Sequence, residues 1–350
     1  MFESAHQRPR SLAIHAWPAA DRLAWEAACQ PGARFTPGGA ASYLAPVSRE
    51  DFARRYGAFL GFLQRTGRLD RKAAAATQVT LLNVETYITE LTARVSSVTT
   101  YNCIYKLRRA AELLSPTADF SWLAEIEKDL DLVMVPKSKF DRLVLTGRLF
   151  EAGMTLVAEA QRFGSDDLAR ARSIRNGLMI ALLAFCPIRL KNFADLEVGQ
   201  TFRTINGRWW IILAGRSTKS RRRDDRPVPS ELNEAIETYL TQSRPVLLGS
   251  KPSTAALWIS STKGRKLTKC NLSTLISKIT FETLGVDVSP HLFRTAGAST
   301  AAVYGSHMPH LASALLSHTD PRVTEEHYNR ASSMSASKIY GEITNKFLRG

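Results

Sequence analysis

The sequence predicts a mainly α protein: an all-α domain, then a mostly α domain carrying a small antiparallel sheet. Three observations point there. At 350 residues the chain exceeds one typical domain. Apolar residues recur at helical spacing, as in Phe52, Tyr56, Phe59 and Phe62. The period then changes where TFRTI, the pair Asn206-Gly207 and RWWIILA follow one another, because Asn-Gly suits a two-residue hairpin turn needing positive φ.

In chain order, residues 1–44 are rich in Ala, Arg, Pro and Gly, with a short helical piece at Asp21–Cys29. They predict an N-terminal arm, flexible or loosely docked. Ser48-x-x-Asp51 gives a cap signal for a helix stopped by Gly67. Helices at Leu81–Ala93, Val98–Leu114 and Phe120–Leu132 complete an all-α domain over residues 45–133; the second of them carries Lys106, Arg108 and Arg109 as candidate DNA contacts. Residues 134–142, with Pro136, Lys137, Lys139 and Arg142, form a basic linker that either tracks a phosphate backbone or is a solvated loop.

Residues 143–350 open with helices at Leu145–Arg162 and Asp166–Pro187, followed by the hairpin and a third strand in RPVPS around Val228. Helices return from Ser230. The segment Ser335–Leu348 carries Ile339, Ile343 and Phe347 four apart, an apolar stripe for a neighbouring subunit or for its own domain.

Composition narrows the function. Lys plus Arg number 47 against 32 Asp plus Glu, a net charge of +15 that favours a polyanion such as nucleic acid over a merely basic enzyme. No stretch reaches the ~18 apolar residues of a membrane helix. The N-terminal residues lack an apolar signal, and Cys29, Cys103, Cys186 and Cys270 form no C-x-x-C pair. A cytoplasmic protein with reduced cysteines is expected.

Four residue types, at six positions, then suggest chemistry on a phosphodiester. Ser289-Pro290 should start a helix on which His291 and Arg294 fall three apart, near an anion-favouring N-terminus. In an Arg-rich chain His-x-x-Arg also arises by chance. Arg189 follows an apolar helix, where a guanidinium must reach an anion, snorkel to the surface or bond a carboxylate such as Asp195. Lys219 lies in the basic loop between predicted strands, beside Arg221, Arg222 and Arg223, which are candidate backbone contacts. His318 ends an apolar helix, and a further helix beyond Asp320-Pro321 presents Tyr328; these two serve equally as a helix cap and a packed tyrosine. His307, His310 and His318 lack Cys or acidic partners at metal-binding spacing, so no metal site is expected.

The order Arg189, Lys219, His291-x-x-Arg294, His318, Tyr328 resembles the tyrosine recombinases, the phage-integrase family, over roughly residues 45–345. The resemblance implies a core-binding domain followed by a catalytic domain. It implies that Arg189 and Arg294 clamp the scissile phosphate, with Lys219 protonating the leaving 5′ hydroxyl and Arg216 close in register. It gives His291 a proton-transfer role, His318 a hydrogen bond to the phosphate, and Tyr328 the nucleophilic attack. Duplex DNA with inverted repeats, a tetramer on that DNA and accessory DNA-bending or directionality proteins are the implied partners. Neither cofactor nor metal is implied, and the bacterial nucleoid is the implied location. Two departures stand out: Asn192 occupies the place where much of the family has Glu, and His318 and Tyr328 are ten apart, one more than usual. His327 adds a second possible proton carrier. A type IB topoisomerase and a catalytically inactive DNA-binding relative are the competing functions.

Overall fold

A computed structural model describes residues 10–136, 140–163, 166–218, 221–304 and 311–316. It divides into two compact units, residues 1–138 and 139–350. Among the described residues, no helix is long and apolar enough to cross a membrane.

The first unit contains α1 (Ala19–Cys29), α2 (Pro46–Arg65), α3 (Leu81–Thr92), α4 (Ser97–Leu114) and α5 (Ser121–Leu132). Thr80 and Ser96 cap α3 and α4, their hydroxyls accepting from the amides of Asn83 and Thr99. The α2 cap expected at Ser48 is absent. The helix begins at Pro46 instead, where a fixed φ and a missing N–H suit the first helical position. Tyr56, Phe59 and Phe62 of α2 are buried, as their spacing predicted, and Phe59 and Phe62 pack against Tyr87 of α3.

The segment expected as a loose arm is, from residue 10 onward, part of this core. Leu12, Trp17, Trp25 and Ala28 are buried in the same cluster as α2. The Trp17 indole donates to the Leu12 carbonyl at 3.0 Å and meets the Tyr56 ring edge-on at 5.1 Å. Buried Asp21 accepts from the Tyr56 hydroxyl at 2.6 Å and from the Ala76 amide at 2.9 Å, while its other oxygen has no partner. Burial pushes the Asp21 carboxyl up from its ordinary value. A raised folded pKa means that the contribution of Asp21 is full below the unfolded value and is lost as pH rises through the folded one. Asp21→Asn keeps an accepting oxygen without the charge. It is expected to stabilise the protein at pH 8 and to lose that advantage towards pH 4, as followed by thermal melts.

The second unit opens with α6 (Thr146–Phe163) and α7 (Asp167–Phe185), the latter capped by Asp166 accepting from the Ala169 amide. The two cross in close contact. A Cβ added at Gly177 would lie 2.4 Å from the Gly153 carbonyl oxygen. Gly177→Ala must therefore push two backbones apart, and a loss of about 1–3 kcal/mol is expected in denaturant titrations. α7 ends two residues before Pro187, since the position before a proline disfavours helix. α8 (Leu190–Ala194) follows, then β1 (Phe202–Ile205), β2 (Arg208–Leu213) and β3 (Asp224–Pro227), antiparallel in the order β1-β2-β3. Asn206 and Gly207 both take positive φ, as the turn requires. β3 begins two residues before the expected RPVPS strand, with Asp224 opposite Leu213 and Arg226 opposite Ile211.

The remaining described elements are α9 (Asn233–Thr238), a π turn over Tyr239–Ser243, α10 (Arg244–Leu248), α11 (Lys269–Leu284), α12 (Pro290–Tyr304) and α13 (Leu311–Leu316). Their core gathers α7, Phe193, Phe202, Tyr239, Trp258 and Phe293. The architecture is the one predicted: mainly helical, with a three-stranded antiparallel sheet in the second unit. The expected C-terminal helix over Ser335–Leu348 lies outside the described residues.

Candidate active site

Arg189 sits where α7 has ended and α8 begins, at the N-cap of α8. That short helix is anchored from beneath. The fully buried Trp258 donates its indole N–H to the Phe193 carbonyl at 2.9 Å, and Leu257 N donates to the Leu196 carbonyl. Asp195, the carboxylate that offered Arg189 a local partner, instead accepts from Lys266 at 2.6 Å. Arg189 is half-buried, and Asn192 behind it is buried.

Arg294 lies in the first turns of α12, whose neighbouring Phe293 and Leu292 belong to the core. It is itself buried, and its two terminal nitrogens donate to the carbonyls of Pro187 and Leu316, each at 2.6 Å. One bond thus ties it to the segment leading into Arg189 and the other to the end of α13. Neither partner carries charge. Burial pushes the guanidinium down to about 10, with Arg189 and Arg226 adding to the effect and Asp224 opposing it. Arg294 therefore stays charged at neutral pH, in a place where a cation lacking an anionic partner is costly.

Arg226 and Asp224 are the site residues that sequence reasoning missed. Arg226 is buried and donates twice to Asp224, at 2.8 and 2.9 Å. Both lie opposite core residues of β2, on the inner face of β3. The signal was the alternation within RRRDDRPV: positions 224, 226 and 228 point one way, and Val228 is fully buried. Arg189, Arg226 and Arg294 thus share one electrostatic neighbourhood with Asp224. Among the described residues, three guanidinium groups against one carboxylate leave an excess of positive charge that an anion would relieve.

His291 is exposed on the first turn of α12, three residues before Arg294. In the loop between β2 and β3, buried Thr218 donates to the carbonyls of Gly215 and Arg222, closing the loop at its base. Arg216 lies in that loop, in the short helical turn Gly215–Ser217. Arg221, Arg222 and Arg223 are exposed there, with Arg223 paired to Asp225 at 2.7 Å. Lys219, His318, Tyr328, Lys137 and Lys139 lie outside the described residues, as do His307, His310 and His327.

The basic run on α4 is ion-paired in the structure. Arg108 donates to both oxygens of Glu127 at 2.7 and 2.9 Å and to Glu112 at 2.7 Å. Arg109 shares Glu112, and Lys106 pairs with Asp51. A phosphate contacting these three side chains would have to compete with the carboxylates.

Residues 155–334 match the model of the phage integrase family, 180 of the 350 residues (334 − 155 + 1). Among solved structures, the fold is similar to that of the XerH site-specific recombinase bound to palindromic difH substrate in a post-cleavage complex. The TM-score is 0.55 at 15% identity, covering 84% of this chain and 80% of that one. The pre-cleavage complex of XerH gives 0.54 at 16% identity, with the same coverage. At such identity the likeness is one of fold. No curated protein matches the chain.

Proposed function

Because the chain belongs to the phage integrase family, the tyrosine recombinases, we propose that it is a site-specific recombinase that cuts and rejoins duplex DNA through a 3′-phosphotyrosyl bond on Tyr328. The observation that carries this is Arg294: buried, charged, bonded among the described residues to the backbone carbonyls of Pro187 and Leu316, and close in the electrostatic sense to Arg189 and Arg226. Such a site is arranged for an anion whose charge grows as a phosphodiester becomes pentacovalent.

In this mechanism Arg189 and Arg294 neutralise the nonbridging oxygens. The Tyr328 oxygen attacks phosphorus as the bond to the 5′ oxygen breaks, and Lys219 gives that oxygen its proton. His291 and His318 orient the phosphate and exchange protons. The phosphotyrosyl ester keeps the energy of the broken bond, so a 5′ hydroxyl from the partner strand reverses the step and frees Tyr328. XerH was captured on its difH substrate before and after cleavage, which supports a duplex substrate for the shared fold. The proposal includes a tetramer on paired sites, with the C-terminal segment passed to a neighbour, as the family resemblance implies.

The test begins with duplexes selected by the protein from a random pool. A plasmid carrying two copies of the selected site should yield recombinant circles. Relaxation of a plasmid without the site would favour a topoisomerase, and binding without either product an inactive relative. Asn192, in place of the family's usual acid, makes the last outcome a specific rival.

A further inference from the structure

The first unit holds a cavity of about 210 Å³ that the proposed reaction does not use. Five arginines from three parts of the chain surround it: Arg10 from the N-terminal segment, Arg54, Arg55 and Arg65 from α2, and Arg94 just after α3. Tyr87 and Leu91 supply an apolar wall. Two carboxylates answer these cations. Glu90 takes Arg65 at 2.8 Å and Arg94 at 3.5 Å, and Asp51 takes Arg54 but is shared with Lys106.

Arg55 and Arg10 are left over. Among the described residues Arg55 has no carboxylate; it donates one terminal nitrogen to the Cys103 sulfur at 3.1 Å, a weak acceptor. Its Nε is buried with no hydrogen-bond partner at all. A buried guanidinium N–H without an acceptor is costly and signals a missing partner. The side chain of Arg10 likewise has no partner among the described residues, although its backbone is fixed in place. Its carbonyl accepts from Arg65 at 3.3 Å, and a Cβ at Gly61 would stand 2.5 Å from that oxygen. At Gly57 a Cβ would stand 2.3 Å from the Leu12 carbonyl. The two glycines, one helical turn apart, let the N-terminal segment lie against α2 and bring Arg10 to the cavity.

We propose that this cavity is a binding site for a phosphate-class oxyanion, held by Arg55 and Arg10 and separate from the Arg189–Arg294 site. A tetrahedral dianion offers the several acceptors that the Arg10 fork and the second terminal nitrogen of Arg55 lack among the described residues, and its charge offsets the surplus of cations. The cavity has room for one phosphate group. That group belongs either to a soluble phosphate compound or to the DNA backbone.

Calorimetric titration of the full chain with inorganic phosphate tests this, using Arg189→Gln throughout to silence the proposed catalytic site. Binding should persist in that variant, fall about tenfold or more on adding Arg55→Gln, and weaken on adding Arg10→Gln, an exposed change that leaves the core intact. Displacement of phosphate by a short duplex would assign the group to DNA; retention in its presence would assign it to a soluble compound. Absence of millimolar binding in Arg189→Gln, or an affinity unmoved by both further substitutions, overturns the proposal. Neither result bears on strand cleavage, so the two proposals fail separately.

Discussion

Arg294→Ala is expected to slow strand cleavage by at least about 10²–10³-fold, the usual effect of removing one preorganised donor to a developing oxyanion. Two effects combine here. The substitution removes a charge from a site where burial makes each charge count for more than in water. It also frees the carbonyls of Pro187 and Leu316, which Arg294 holds at 2.6 Å. Each unpartnered buried carbonyl costs about 1–3 kcal/mol. Part of the defect is therefore structural, and melting curves must be recorded beside the kinetics. Arg294→Lys separates the two. It keeps the charge but loses the fork that reaches both carbonyls at once, so it should recover part of the cleavage lost in Arg294→Ala while recovering little of the stability. Normal cleavage by a folded Arg294→Ala protein would remove Arg294 from the chemistry.

Tyr328→Phe is expected to abolish covalent attachment to DNA while leaving non-covalent binding unchanged. Only the phenolic oxygen is lost, and without it no ester to phosphorus can form. Denaturing gels of protein incubated with a nicked duplex read the covalent product, and native gels read binding. Most of the affinity should come from phosphate contacts and should fall steeply with salt in both proteins. Retention of the covalent band would place the nucleophile elsewhere, His327 and the neighbouring hydroxyls included.

How much of this was legible in the sequence depended on the range of the interaction. Local signals carried through. The spacing of Tyr56, Phe59 and Phe62 marked a buried helix face, and Asn206-Gly207 marked the hairpin, because both depend on residues within a few positions. Contacts between distant residues were not legible. Trp17 and Trp25 belong to no periodic pattern, so nothing in residues 10–44 announced that they pack on Tyr56. The pairing of Arg108 with Glu127 was not legible either, because the two lie 19 positions apart on different helices. The cap at Ser48 lost to Pro46 two residues earlier, since a proline at the first turn needs no side-chain bond.

The site shows the same division. Arg189 was found as an arginine after an apolar helix and Arg294 by its spacing from His291 on a helix begun by Ser289-Pro290, and the structure joins their segments through the Pro187 carbonyl. Arg226 was hidden in a run of charges that looked solvated. Two-residue alternation along β3 turns it and Asp224 inward, and only the pairing with Ile211 and Leu213 makes that visible.

The measurement that most directly tests the central claim is peptide mapping of the trapped adduct. Protein is incubated with a nicked duplex from which the cleaved fragment diffuses away, then digested and analysed by mass spectrometry. The proposed mechanism places a nucleotide, linked through its 3′ phosphate, on the peptide containing Tyr328. A nucleotide on any other residue, or one joined through its 5′ end, would contradict it.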